Sequence, residues 1–118
     1  MEDRKQKRYD LEERTEAFAK RVSGFVKRVP KSLSNLEYCV QLLRSSGSVG
    51  ANYIEANEAL SKKDFVMRIK ICRKEAKESA YWLRLLDCDA SLSDEQNALV
   101  QEATELMKIF GAILQKAT

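Results

Sequence analysis

From Phe65 onward the residues Phe65, Ile69, Cys72, Ala76, Ser79, Leu83 and Leu86 follow one another in alternating steps of four and three without a break. An α-helix, turning once every 3.6 residues, gathers such positions into one stripe, whereas a half-buried strand needs a period of two. The chain therefore holds at least one long amphipathic helix. Its start is marked by Ser61-Lys62-Lys63-Asp64, a capping-box-like pair of polar residues three positions apart. Four Gly and one Pro in 118 residues leave too few turns for an all-β sandwich or barrel. The fold class is all-α.

Three more helices are predicted around this one. Leu11, Phe18, Val22, Phe25 and Val29 recur at helical intervals after Asp10-Leu11-Glu12-Glu13, and Pro30 ends the pattern because it disfavours helical geometry at its predecessor. Residues 1–9 are then a basic N-terminal tail, and 10–118 a single bundle domain. A cap at Ser34 or Asn35 opens a second helix with inner positions Leu36, Val40, Leu43, Gly47, Gly50 and Ile54. Its weak stretch, Ser45 to Gly50, reads either as a loop or as helix. Both glycines share the inward phase of their neighbours, where a missing side chain lets another helix approach, and this favours one continuous helix. After a turn over 87–92, Ser93 with Gln96 caps a fourth helix carrying Leu99, Ala103, Leu106, Phe110 and Ile113. Four amphipathic helices with short connections predict an antiparallel up-down-up-down bundle packed at about 20°.

Composition narrows the chemistry. Apolar residues at 44% and charged residues at 33% support a core and argue against a disordered chain. The absence of His removes His-based triads and the Glu-x-x-His pairs of di-iron bundles. Cys39, Cys72 and Cys88 form no C-x-x-C pair, and the chain opens with MEDRKQKR rather than an apolar signal, so a reduced, cytoplasmic setting is expected. The longest apolar run, Ile109 to Leu114, is far short of the roughly 20 residues that span a bilayer, and no membrane association is expected. Cys39 and Cys72 read as core thiols, and flanking Asp87 and Asp89 disfavour a Cys88 thiolate. No Gly-rich phosphate loop or nucleophile elbow occurs, so the expectation is a non-enzyme without metal or cofactor.

Two surplus features remain. Met67, Ile71, Tyr81, Trp82 and Leu85 lie off the core stripe of the third helix and are read as an oligomer interface; the plainer reading is that Tyr81, Trp82 and Leu85 widen the core. Charge is also uneven: residues 61–86 hold eight Lys/Arg against three acids and residues 1–31 ten against six, whereas 32–60 hold one against three and 87–118 two against six. Alternating basic and acidic helices would help specify packing order. A sharper reading starts from Lys63, Lys70, Lys77 and Arg84, which repeat every seven residues with Lys74 nearby. Such a strip, joined by Arg4, Lys5, Lys7 and Arg8, can follow the phosphates of RNA or DNA.

The segment Arg44-Ser45-Ser46-Gly47-Ser48-Val49-Gly50-Ala51-Asn52-Tyr53-Ile54-Glu55, together with Asp64-Phe65, Lys74-Glu75-Ala76-Lys77-Glu78-Ser79-Ala80-Tyr81-Trp82-Leu83 and Pro30, resembles the bacterial four-helix bundle proteins typified by the 23S rRNA intervening-sequence protein. The resemblance spans most of the chain. It departs in Ala56, where many members have Gly, and in the basic third helix, which points to a subgroup. It implies a homo-oligomeric ring, with five subunits favoured and no assigned catalysis. That family is also similar to the accessory protein of diversity-generating retroelements, a basic ring that engages a reverse transcriptase and nucleic acid. The partners implied are copies of the chain, RNA or DNA, or a partner protein. Asn52 and Glu55, with Glu75 and Glu78, match family motif positions. They are expected to hydrogen-bond across helices or subunits, with Arg44 and Arg73 as candidate partners for any buried carboxylate.

Overall fold

A computed structural model describes residues 2–118, with side chains from Leu11 onward. Four α-helices are present among the described residues: α1 (Glu2–Val26), α2 (Leu33–Asn57), α3 (Lys62–Leu85) and α4 (Ser93–Ala117), with a 3-10 turn at Ala90–Leu92 before α4. No strand occurs among them. The first helix begins earlier than the start expected at Asp10, whose side chain lies outside the described residues.

Helices α1 and α3 each pack against both α2 and α4, and among the described residues the backbones of the diagonal pairs, α1 with α3 and α2 with α4, do not come within 8 Å of each other. The basic helices therefore sit diagonally, each beside two acidic ones. Arg14 uses this order, donating to both carboxylate oxygens of Glu102 at 2.8 Å, and Arg28 pairs with Glu95. A fork-to-fork contact of this kind fixes relative position better than a single lysine could. Between α2 and α3 the facing residues run Ser45 with Ser79, Val49 with Cys72, and Asn52 with Arg68, and Asn35 meets Asp87 just beyond the end of α3. Ascending along α2 thus means descending along α3.

The stripes expected for α1, α3 and α4 are inward. Leu11, Phe18, Val22, Phe25 and Val29 are buried, as are Ile69, Cys72, Ala76, Ser79, Leu83 and Leu86, and Leu99, Ala103, Leu106 and Phe110. Phe65 and Ile113 are half-buried, and Leu114 is buried on α4.

Helix α2 differs. It runs unbroken through Ser45–Gly50, but its inward face is Asn35, Leu42, Ser45, Ser46, Val49, Tyr53 and Ala56. The stripe expected inside is turned outward: Leu36, Val40, Leu43 and Ile54 are 50%, 52%, 44% and 52% exposed. Both stripes have helical spacing. The buried one wins because its small residues let α3 come close enough for Ser45 and Ser79 hydroxyls to meet at 2.9 Å, and for the Cys72 thiol to donate to the Val49 carbonyl at 3.4 Å. The two glycines separate accordingly. A Cβ on Gly50 would sit 2.9 Å from Thr15 Oγ1, so α1 does approach closely there, whereas nothing lies within 4 Å at Gly47.

Helix ends are fixed by particular side chains. Ser61 accepts from the Asp64 amide at 3.1 Å, the cap expected from sequence. The cap of α2 is Ser32, accepting from the Asn35 amide at 3.2 Å, rather than Ser34 or Asn35. Asn35 is instead buried and joins three segments: its Nδ2 donates to the carbonyls of Pro30 at 2.9 Å and Asp87 at 2.8 Å, and its Oδ1 accepts from the Asp87 amide at 3.0 Å. Asp89 caps the 3-10 turn, and α4 has no side-chain cap. Gln96, expected to cap α4, donates to the carbonyls of Leu83 and Leu86 at 2.8 and 2.9 Å. It satisfies acceptors that the end of α3 leaves open.

Candidate nucleic-acid interface

The residues of the basic strip, Lys63, Lys70, Lys74, Lys77 and Arg84, are all exposed on α3. Lys63 to Arg84 spans about 30 Å at the helical rise, with neighbours of the seven-residue row about 10 Å apart. The row lies toward α4, as Arg73 shows. That side chain is on the same flank, one turn from Lys70 and Lys77, and its Nε would be 3.8 Å from a Cβ on Gly111 of α4. Arg73 and Lys108, the latter one turn from Gly111, are exposed and extend the strip onto α4. Sequence reasoning assigned neither to the strip, because no spacing rule links residues of two helices. None of the ion pairs among the described residues involves any of these cations. Arg4, Lys5, Lys7 and Arg8 lie outside the described side chains.

Lys74 occupies a different position, on the outermost ridge of α3 between Met67 and Tyr81, each seven residues away. Met67, Tyr81 and Leu85 are exposed on that ridge. Ile71 and Trp82, half-buried, lie on the flank toward α2. Trp82 stacks on Tyr38 of α2 with ring centroids 6.0 Å apart and meets the edge of Tyr81 at 5.0 Å. Part of its apolar surface is thus covered within the chain.

The family-motif residues separate into a satisfied pair and a loose set. Asn52 donates to the Ser48 carbonyl and hydroxyl at 2.9 Å each, and accepts from Arg68 Nη1 at 3.0 Å. This is a hydrogen bond across helices, with Arg68 as the donor in place of Arg44 or Arg73. Glu55 is exposed, and Glu75 and Glu78 are half-buried. Neither Arg44 nor Arg73 pairs with them among the described residues. Burial, and then the neighbouring Glu78 charge, push the Glu75 carboxyl above its ordinary value against the opposing pull of Lys74. A carboxylate half-covered beside a like charge is costly to keep charged, and the Lys74 charge offsets only part of that.

The thiols behave as core residues. Burial pushes Cys72 up to about 12 and raises Cys39. Cys88 is raised by burial first, then by Asp87, Asp89 and Cys39. Such thiols are poor nucleophiles at neutral pH. No group of three or more Cys, Asp or Glu able to hold a metal ion gathers among the described residues. Among the described residues, no helix is long and apolar enough to cross a membrane.

No curated protein sequence matches the chain. Among solved structures, it is similar to a protein of unknown function from the S23 ribosomal protein family of Bacteroides thetaiotaomicron. The two share 28% identity over 92% of this chain and 98% of that one, with a TM-score of 0.77. The sequence profile of the 23S rRNA-intervening sequence proteins matches residues 7–112. With four helices in the order and spacing described above and nearly its whole length matched, the chain belongs to the 23S rRNA-intervening sequence protein family.

Proposed function

We propose that the protein is a non-catalytic, antiparallel up-down-up-down bundle that works in the cytoplasm as a ring of identical subunits, five being favoured. Its basic strip binds structured RNA or another nucleic acid without strong sequence readout. One observation carries this reading: Lys63, Lys70, Lys77 and Arg84 face solvent in a row, and none of them is in an ion pair with an acid among the described residues. Exposed like charges held about 10 Å apart repel one another modestly, and a phosphate chain removes that repulsion while releasing its counterions. A ring would present several strips at once and multiply a weak single-site affinity.

The test is titration of a fluorescent RNA hairpin at several salt concentrations. About four phosphate contacts per strip give a log–log salt slope near −3 to −4, and the triple change Lys63→Glu, Lys70→Glu, Lys77→Glu abolishes binding. Unchanged affinity in that variant refutes the surface. A second reading, a scaffold that engages a partner protein, is favoured by the exposed Met67, Tyr81 and Leu85 on the neighbouring ridge. On that reading no RNA binds, and changes on the ridge rather than the strip disturb the partner.

A further inference from the structure

We propose that Cys39 and Cys88 are a pair of thiols that a peroxide joins into a disulfide, fastening the first turns of α2 to the connection between α3 and α4. Placement carries the proposal. The inner row of α2 opens with Asn35, Cys39, Leu42, Ser46 and Val49, in steps of four and three, and Cys39 is the one member of these that is half-buried rather than buried. One turn before it, Asn35 donates to the Asp87 carbonyl and accepts from the Asp87 amide, and Cys88 is the next residue along. The same amide therefore brings both thiols to one end of the bundle. Both pack against the same core cluster, and a negative charge on Cys39 acts on the Cys88 thiol. The third cysteine is excluded by position. Cys72 is fully buried level with Val49, where its thiol donates to that carbonyl, about 15 Å along α2 from Cys39. A disulfide needs Cα atoms within about 7 Å.

Charge sets the order of the two steps. Burial disfavours both thiolates, but Lys31 favours one at Cys39, whereas Asp87 and Asp89 oppose one at Cys88. Cys39 therefore reacts first. Its thiolate attacks one oxygen of hydrogen peroxide, the O–O bond breaks, and the sulfur becomes a sulfenic acid while the released hydroxide takes up the thiol proton as water. The Cys88 sulfur then attacks the sulfenic sulfur, the S–O bond breaks, and the departing hydroxide leaves as water with the Cys88 proton. Two electrons pass from the thiols to the peroxide. Thiols held above their ordinary pKa attack slowly and also leave slowly, so the bond forms under sustained oxidation and persists afterwards. It closes a loop of about 50 residues, which restricts the unfolded chain, and it does covalently what Asn35 does by hydrogen bonds.

The experiment treats the folded full chain with hydrogen peroxide, blocks the remaining thiols after denaturation, and maps unreduced peptides by mass spectrometry. The expected product is a bond between Cys39 and Cys88 of one chain with Cys72 left free. Its thermal midpoint should lie about 10 °C higher and return to the starting value in dithiothreitol. Cys88→Ser should lose both the bond and the gain, and leave Cys39 as a sulfenic acid that dimedone labels. Asn35→Ala, which removes the contact that the bond duplicates, should lower the midpoint far less in the oxidised chain than in the reduced one. Cys39 and Cys88 left unlinked after peroxide, or paired with Cys72 or between chains instead, overturns the proposal. A bond that forms without raising the midpoint, or an Asn35→Ala loss equal in both states, overturns its role as a fastening.

Discussion

Replacing Asn35 tests whether three chain segments are held by one amide. Its side chain is 2% exposed and makes three hydrogen bonds of 2.8–3.0 Å to the backbone of Pro30 and Asp87. At about 0.5–1.5 kcal/mol net for each bond, and with Pro30 and Asp87 themselves exposed so that water can reach part of what is lost, Asn35→Ala should cost about 2–3 kcal/mol. Asn35→Asp probes the same bonds by charge. A carboxylate keeps the bond from the Asp87 amide but turns an oxygen toward two carbonyls that previously received a proton, so its charged form is disfavoured in the fold. The folded pKa of the new carboxyl then lies above its unfolded value. Stability relative to wild type is best below the unfolded value and is lost as pH rises through the folded one. Urea unfolding followed by circular dichroism at acidic and neutral pH gives both quantities from the shift in midpoint at constant slope. If Asn35→Ala lies within about 0.5 kcal/mol of wild type, the size of an ordinary surface change, or if the cost of Asn35→Asp does not grow with pH, the clasp does not hold the segments together.

Two further stability tests follow from the packing. Gly24→Ala places a methyl where nothing lies within 4 Å and should stabilise by about 0.5–1 kcal/mol. Gly50→Ala sets its methyl 2.9 Å from Thr15 Oγ1, a hydroxyl already donating to the Leu11 and Glu12 carbonyls. Overpacking of about 1–3 kcal/mol should reverse the gain, and equal stabilisation at both sites in thermal melts would refute the close approach of α1. Glu75 has a raised carboxyl pKa, so the stability it allows is fully present below the ordinary carboxylate value and falls as pH rises through the raised one. Glu75→Gln should therefore match wild type in acid and exceed it at neutral pH, and a midpoint difference independent of pH would contradict this.

What sequence could reveal depended on how many stripes each helix carries. On α1, α3 and α4 one apolar row dominates, and Phe18, Ile69 and Phe110 fell where periodicity put them. Helix α2 carries two rows of the same period, and periodicity alone chose the more hydrophobic one. The chosen row, Leu36 to Ile54, faces out, because the inner row owes its burial to small size and hydroxyl pairing at Ser45 and Ser79 rather than to hydropathy. The candidate site shows a similar division. The seven-residue recurrence of Lys63, Lys70, Lys77 and Arg84 was legible. The addition of Arg73 and Lys108 was not, since it needs the α3–α4 packing, and neither was the pairing of Asn52 with Arg68. Asn35 and Gln96 both have cap-like sequence positions, and only the fold shows that each reaches a distant carbonyl instead.

The Gln96 contact bears on the order in which the chain can mature during synthesis. The carbonyls of Leu83 and Leu86 receive their donor from a residue ten or more positions later, so a nascent chain that stops short of α4 leaves them to water. Until Gln96 has left the ribosome, the third helix lacks its proper terminus. A truncated product would then fray at the end where Trp82 and Leu83 should be held, and would be an early target for proteases.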